Sequence, residues 1–282
     1  MRLFMLTLFT MLAFASNSLL TRLAVEPGHA DAISFALIRV LSGAVFLCLL
    51  VAGQGGKLPW RATARVTGAI SLAVYMVGFS LAYITLDAGI GALILFGVVQ
   101  ISMFAHGAIT GNRPTARQLA GAAIAFGGLL LALWPKDGAI ENSAGALLMV
   151  LAGLGWAVYT LSGRTARTPL SATAANFALC FPMLMIVTLP FIEQVSPTGV
   201  VLAVVCGAIT SGLGYALWYR VLPELKQNVA AVVQLSVPII AIIGGSVVLG
   251  ETITTGVVAS AVLVVSGIAL AVTKRSSPTD RS

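Results

Sequence analysis

A chain of 282 residues that is 59% hydrophobic and only 9% charged, with a net charge of +7, has too little polar surface for a water-soluble domain, where about a quarter of residues are charged. Its mean hydropathy of +1.02 makes lipid the solvent, and backbone in lipid satisfies its hydrogen bonds only as helices or as a closed barrel. Barrel strands alternate apolar and polar side chains over about ten residues; the apolar runs here are longer and unbroken, so the sequence predicts an all-α integral membrane protein.

Ten runs approach the roughly 20 residues that cross a bilayer. The first, near 3–22, has a basic start and an Ala13-Phe14-Ala15 stretch like a cleavable signal. Its apolar character continues to Leu20 and recurs down the chain, so it reads as an uncleaved helix. The second, 32–52, contains "SFALIRV", where Arg39 interrupts an apolar segment. The third and fourth, 66–86 and 88–109, are divided only around Asp87. The fifth and sixth follow at 116–134 and 144–163. The seventh, 171–191, repeats the second as "NFALCFP", with Phe181 where Arg39 stands. The eighth, ninth and tenth lie near 199–219, 227–249 and 253–273, and a polar tail occupies 274–282.

Charge orients these spans. With the N-terminus inside, 13 of the 16 Lys and Arg residues fall on inside connections, leaving Arg22 and Lys136 outside and Arg39 within a helix. Cytoplasmic loops attract Lys and Arg in this way, so both termini are expected in the cytoplasm. Orientation alone accounts for the basic balance, and no nucleic-acid partner is implied.

The chain also repeats itself. Shifted by 142, residues 15–40 align with 157–182 without a gap, and ten of 26 positions are identical, including Arg22 with Arg164 and Pro27 with Pro169. A shift of 136 pairs Gly78 with Gly214 and Tyr83 with Tyr219, and a shift of 139 pairs Gly111 with Gly250. The reading is two five-helix repeats, 1–135 and 136–273, followed by the tail 274–282. Five is odd, so the copies cross in opposite senses. The connection after the second span carries Lys57, Arg61 and Arg65, whereas its counterpart after the seventh carries Glu193 and no basic residue. Inverted repeats of this kind build secondary transporters around a site at their interface.

The segments "LAFASNSLLTR", "ISFALIRVLSGAVF" and "SVPIIAIIGGSVVLGE", set in ten helices and two repeats, resemble the EamA-type branch of the drug/metabolite transporter superfamily. The resemblance covers nearly the whole chain. It departs at Gly111-Asn112, where the first-repeat copy of Gly250-Glu251 lacks the acid, and at the proline that matches Pro238, which helix 4 lacks. The resemblance implies export or exchange of small metabolites, often amino acids, across the bacterial inner membrane by alternating access. An uncoupled facilitator or a lipid or amphiphile flippase of the same fold is the alternative.

Tyr75, Phe79 and Tyr83 share one helix face by their spacing of four, and Ser211, Tyr215 and Tyr219 are their counterparts. Trp156 and Tyr159 add aromatics whose counterparts are Phe14 and Asn17. An apolar cavity with a few polar groups suits an amphipathic organic solute. The expected substrate-binding residues are Asn17, Tyr75, Phe79, Tyr83, Gln100, Trp156, Tyr159, Tyr215 and Gln234. Tyr83, Trp218 and Tyr219 equally suit an interfacial aromatic belt. An arginine costs ~2.5–3.5 kcal/mol at a helix centre on insertion scales. Arg39 therefore either holds a substrate carboxylate or serves a structural or gating role, tied to helix-end carbonyls or an outer acid such as Asp31, and the second role is preferred. No span interior carries Asp or Glu, which leaves His106 as the candidate proton carrier. Pro238 is the hinge candidate.

Cofactors, metals and catalysis are not expected. The chain has two histidines, His29 and His106, and no metal-ligand spacing or phosphate loop. Cys48, Cys180 and Cys206 read as small apolar packing groups. The Gly- and Ala-rich fifth and tenth spans are expected to fasten the halves together or to form a homodimer contact.

Overall fold

The computed structural model describes residues 2–60, 64–110, 115–133, 139–163, 166, 168–193, 195–221, 224, 233–234 and 236–272. The described residues form helices α1 Arg2–Val25, α2 Ala32–Gly53, α3 Ala64–Ala82, α4 Ala88–Ile109, α5 Ala116–Leu133, α6 Ala139–Gly163 and α7 Pro169–Thr188. The eighth span runs as α8 Pro197–Val204, a π-helical stretch Val205–Leu213 and α9 Gly214–Val221. Helices α10 Ser236–Leu249 and α11 Thr255–Val272 complete the bundle. Seven of these segments are long and apolar enough to cross a membrane, and α5, α10 and α11 are shorter apolar helices. Large apolar side chains cover the outside, with Phe4, Leu49, Ile186 and Val247 all more than 65% exposed. A surface of this kind is stable against hydrocarbon and not against water.

Several boundaries differ from the sequence expectation. The third span ends at Ala82, because Tyr83–Leu86 form a turn before the N-cap Asp87. Arg65, expected in a cytoplasmic connection, lies in the first turn of α3, buried, and donates to Asn176 Oδ1 on α7 at 3.2 Å. Glu141, expected before the sixth span, lies within helix α6 Ala139–Gly163. The Gly111-Asn112 turn, the basic residues Arg61, Arg113, Arg164, Arg167 and Lys226, and the tail 274–282 lie outside the described residues.

The helix pairing is symmetric under exchange of the two halves. Helix α3 packs on α6 as the eighth span packs on α1, and α4 packs on α6 as α10 packs on α1. The pairs α2–α7, α4–α10 and α5–α11 each join a helix to its own counterpart. The α5–α11 seam is tight: a Cβ on Gly121 would lie 2.5 Å from the Gly267 carbonyl oxygen and 2.6 Å from Ala271 N. Small residues allow such approach, and dispersion at close range then holds the helices together in lipid.

One helix terminus shows how the second half grips the first. Gly250 takes a φ of +69°, and Glu251 N donates back to Gly245 O at 3.1 Å, so a left-handed glycine closes α10. The turn aims the Glu251 carboxylate across the bundle at the start of α4, where Oε1 accepts from Ala88 N at 2.7 Å. Asp87, the N-cap of α4, makes no capping bond with its own side chain. The Gly-Glu pair thus caps the fourth helix of the opposite half.

Candidate substrate-binding site

Interior turns of α1, α3, α4, α6 and α9 enclose a small cavity lined by Phe14, Asn17, Ser18, Tyr75, Phe79, Leu95, Phe96, Trp156 and Tyr215. Its volume is about 20 Å³, about one water molecule. The rings fill the rest. Trp156 lies 4.9 Å from Tyr75 and 5.0 Å from Tyr215 between centroids, and Tyr75 lies 5.3 Å from Phe79. Phe14 meets Tyr215 edge to face at 5.9 Å. Two of these helices, α6 and α9, come from the second half, so the cavity is walled by both.

Behind Tyr75 and Phe79 stands Arg39, 0% exposed. Its Nε donates to Ser211 Oγ at 3.2 Å, and Nη2 donates to Asn17 Oδ1 at 3.1 Å and to Tyr75 Oη at 3.2 Å. The guanidinium sits 4.9 Å from the Phe79 ring centre and 5.6 Å from that of Tyr75, a cation–π arrangement. Nη1 has no hydrogen-bond partner. The expected tie to Asp31 does not form. Asp31 instead caps α2, accepting from Ile33 N and Ser34 N, while Arg39 turns inward to Ser211, Asn17 and Tyr75. A snorkelling arginine is also excluded, because every partner of Arg39 lies inside the bundle.

The π-helical stretch explains how Ser211 reaches this point. A π turn rotates side chains out of the α-helical register and is frequent at functional sites. Here Thr210 Oγ1 lies 2.9 Å from Cys206 O, a carbonyl of the helix ladder, and 2.7 Å from Asn17 Oδ1, so its one proton is shared between the two acceptors. Gly207 lets α2 approach: a Cβ there would collide with Arg39 O and Ser42 Oγ. The result gathers Cys206, Thr210 and Ser211 around Asn17 Oδ1, at 3.3, 2.7 and 3.0 Å. Cys206 is thus a donor to this polar cluster as well as a packing residue.

The role expected of Arg39, pairing with acids near a helix end, falls to Arg22. Its Nη1 donates to the α3 end carbonyls Tyr83 O and Ile84 O at 3.0 and 2.9 Å. It lies 3.8 Å from Asp87, 3.9 Å from Glu26 and 4.0 Å from Glu251, the salt bridges found among the described residues. Burial pushes the Glu251 carboxyl above its ordinary range, aided by the nearby Asp87 charge and opposed by the backbone N–H groups of Ala88 and Gly89. Arg22 opposes it least. The two side chains lie within ion-pair distance, but Arg22 divides its charge among three carboxylates, so the N–H bonds act on Glu251 more strongly.

Of the residues expected to bind substrate, Asn17, Tyr75, Phe79, Trp156 and Tyr215 line the cavity. Tyr159 is buried behind Trp156, stacked on it at 5.3 Å. Tyr83 is fully buried between Phe79 and the start of α4, donating to Ala88 O at 3.3 Å, which removes it from an interfacial belt. Gln100 and Gln234 are half-buried and do not line the cavity. His106 is exposed in the last turn of α4. Pro238 is buried within α10, two residues after Ser236, its first residue. Sequence reasoning left Ser18, Leu95, Phe96 and Thr210 out of the site. Thr210 precedes Ser211 in "AITSG", but an α-helical register turns it away from Asn17.

Comparison with known proteins gives a consistent picture. A model of the EamA-like transporter family matches residues 143–273. An uncharacterized protein of Pseudomonas aeruginosa is 42% identical over 284 residues, covering 97% of this chain and 96% of its own. An uncharacterized transporter of Archaeoglobus fulgidus is 23% identical, covering 86% and 89%. A probable amino-acid metabolite efflux pump of Salmonella typhimurium is 24% identical, covering 65% and 67%. A solved crystal structure with 17% identity superposes at a TM-score of 0.70 over 96% of both chains, a likeness of fold.

Proposed function

The chain belongs to the EamA-like transporter family, and from that premise we propose that it is a secondary transporter exporting or exchanging small organic metabolites, amino acids among them, by alternating access. That it is a multi-pass membrane protein and a small-molecule transporter follows from the family and the apolar helices. The observation that carries the finer reading is the aromatic cavity walled by helices of both halves. A site at such an interface can face either side as the halves rock. At about 20 Å³ the cavity is far smaller than the several hundred Å³ of a typical solute pocket. Loading therefore requires Trp156, Tyr75 and Tyr215 to part.

The halves we assign are 1–135 and 136–273, with a tail 274–282, supported by the symmetric helix pairing and by the family match over residues 143–273. The excess of Lys and Arg on one side supports a bacterial inner-membrane protein with cytoplasmic termini. The α5–α11 seam joins the halves, so we assign it to fastening and not to a homodimer contact. Cofactors, metals and catalytic chemistry have no part in this reading.

Flux into proteoliposomes tests it. Labelled metabolites are expected to cross faster than in protein-free vesicles, and preloading with unlabelled solute is expected to accelerate exchange. Uptake that neither saturates nor exchanges refutes the carrier reading. Repeating the assay with and without an imposed pH gradient decides whether a proton is coupled.

A further inference from the structure

We propose that the cluster around Arg39 is an oxyanion-binding subsite and that the transported solute is an organic carboxylate, whose carboxylate takes the place of the Asn17 amide oxygen. This rests on the transport reading above. The first observation is the uncompensated charge. Arg39 is 0% exposed, Nη1 has no hydrogen-bond partner, and every salt bridge among the described residues belongs to Arg22. A guanidinium remains charged in proteins, and a charge buried in a membrane helix is costly and typically functional. A purely structural tie between α2 and its neighbours needs no charge.

The second observation is the crowding at Asn17 Oδ1. An amide oxygen has two lone pairs, yet Arg39 Nη2, Ser211 Oγ and Cys206 Sγ all donate to it, at 3.1, 3.0 and 3.3 Å, and Thr210 Oγ1, whose one proton it shares with Cys206 O, lies 2.7 Å away. That is a donor shell suited to two anionic oxygens, occupied by one neutral oxygen. A carboxylate presents about four acceptor sites and takes a guanidinium in a two-pronged geometry. Its second oxygen would face the unused Nη1.

The third observation is the route. Asn17, Tyr75 and Phe79 belong both to the cavity wall and to the surroundings of Arg39. Turning Tyr75 and Phe79 joins the cavity to the subsite. The remaining wall, Phe14, Phe96, Trp156 and Tyr215, is apolar and aromatic, which sets the rest of the solute: an apolar or aromatic body next to the acid.

The test uses matched acid and amide pairs on the purified full chain: L-phenylalanine and its amide, 3-phenylpropionate and 3-phenylpropanamide, 4-methylpentanoate and 4-methylpentanamide. At least one acid is expected to stabilise the protein against heat at concentrations 10- to 100-fold below its amide, the range that one charge-assisted hydrogen-bonded contact supports. Arg39→Gln is expected to abolish that preference while leaving weak amide binding. Asn17→Asp places a carboxylate in the subsite permanently. It is expected to raise the melting temperature and to abolish acid binding, and this result stands even if the Arg39 variant fails to fold. Equal binding of acid and amide, no acid binding, or an Asn17→Asp protein that melts lower or still binds the acids overturns the proposal. In proteoliposomes, carriage of neutral or cationic solutes without any acid removes the carboxylate inference and leaves the transport reading. An acid that binds with the expected preference yet crosses no faster than in protein-free vesicles removes the transport reading alone.

Discussion

Replacing Glu251 separates what its hydrogen bonds do from what its charge does. Glu251→Ala leaves the Ala88 and Gly89 N–H groups at the start of α4 without their acceptor, and it opens space beside Gly245, against which the carboxylate is packed. Loss of a capping acceptor costs about 0.5–2 kcal/mol, and a buried bond to a charged group about 1.5–3 kcal/mol. The alanine variant should therefore lose about 2–3 kcal/mol. Glu251→Gln keeps an acceptor oxygen toward Ala88 and relieves both the desolvated charge and its repulsion with Asp87, so it should lose less than about 1 kcal/mol. The assay is thermal unfolding in detergent across pH 4.5 to 8. The sign follows from the raised carboxyl: a group whose folded-state value lies above its unfolded value stabilises fully below the unfolded value, about 4.5 for glutamate, and loses that stabilisation as pH rises through the folded value. Wild type should thus lose stability relative to Glu251→Gln over that window, and the glutamine variant should not show the step. A glutamine variant as unstable as the alanine one, or a wild type that gains on it with rising pH, would refute the assignment of Glu251 to capping.

Three further outcomes are expected. Gly121→Leu forces α5 from α11, since its Cβ would meet Gly267 and Ala271 backbone at 2.5–2.6 Å; overpacking of this kind costs about 1–3 kcal/mol, whereas Gly127→Ala, with nothing within 4 Å of its Cβ, should be neutral or gain up to about 1 kcal/mol of helix propensity, both read by unfolding. Trp156→Ala removes the ring that bridges Tyr75 and Tyr215 and should cost about 3 kcal/mol of stability, with loss of solute flux, while Trp156→Phe retains part of both. Gly207→Ala pushes α2 off the π-helical stretch at Arg39 O and should cost about 1–3 kcal/mol, with a larger relative loss of exchange than a Gly127→Ala control.

The membrane class, the apolar helices and the aromatic faces of α3 and α6 were readable from composition and spacing, because each depends on residues that are neighbours along the chain. That Tyr75, Phe79 and Trp156 share a wall with Tyr215, on three different helices, is a matter of how those helices pack. Arg39 shows where such reading stops. Its position in "SFALIRV" announced a costly charge but not its partner, and the acid proposed for it, Asp31, is engaged in capping α2. The acidic partners belong to Arg22, which the sequence singled out as a repeat match and an outside charge without pointing to Asp87 or Glu251 as its partners. The Gly250-Glu251 pair was visible as a motif, while its cap on α4, 163 positions away, was not.

Sequence by itself determined that this chain lives in lipid, that it is helical throughout its apolar runs, and that its two halves resemble each other. These are sums over local terms: transfer of side chains to hydrocarbon, hydrogen bonding within a segment, and repetition along one strand of text. Only the tertiary structure decided that Arg39 meets Ser211 and Asn17 meets Thr210, pairs 172 and 193 positions apart. A hydrogen bond needs its atoms within about 3 Å, and the π-helical stretch Val205–Leu213 turns its side chains out of the α-helical register. No pattern of apolar and polar letters carries that displacement, because it arises from the packing of one half against the other.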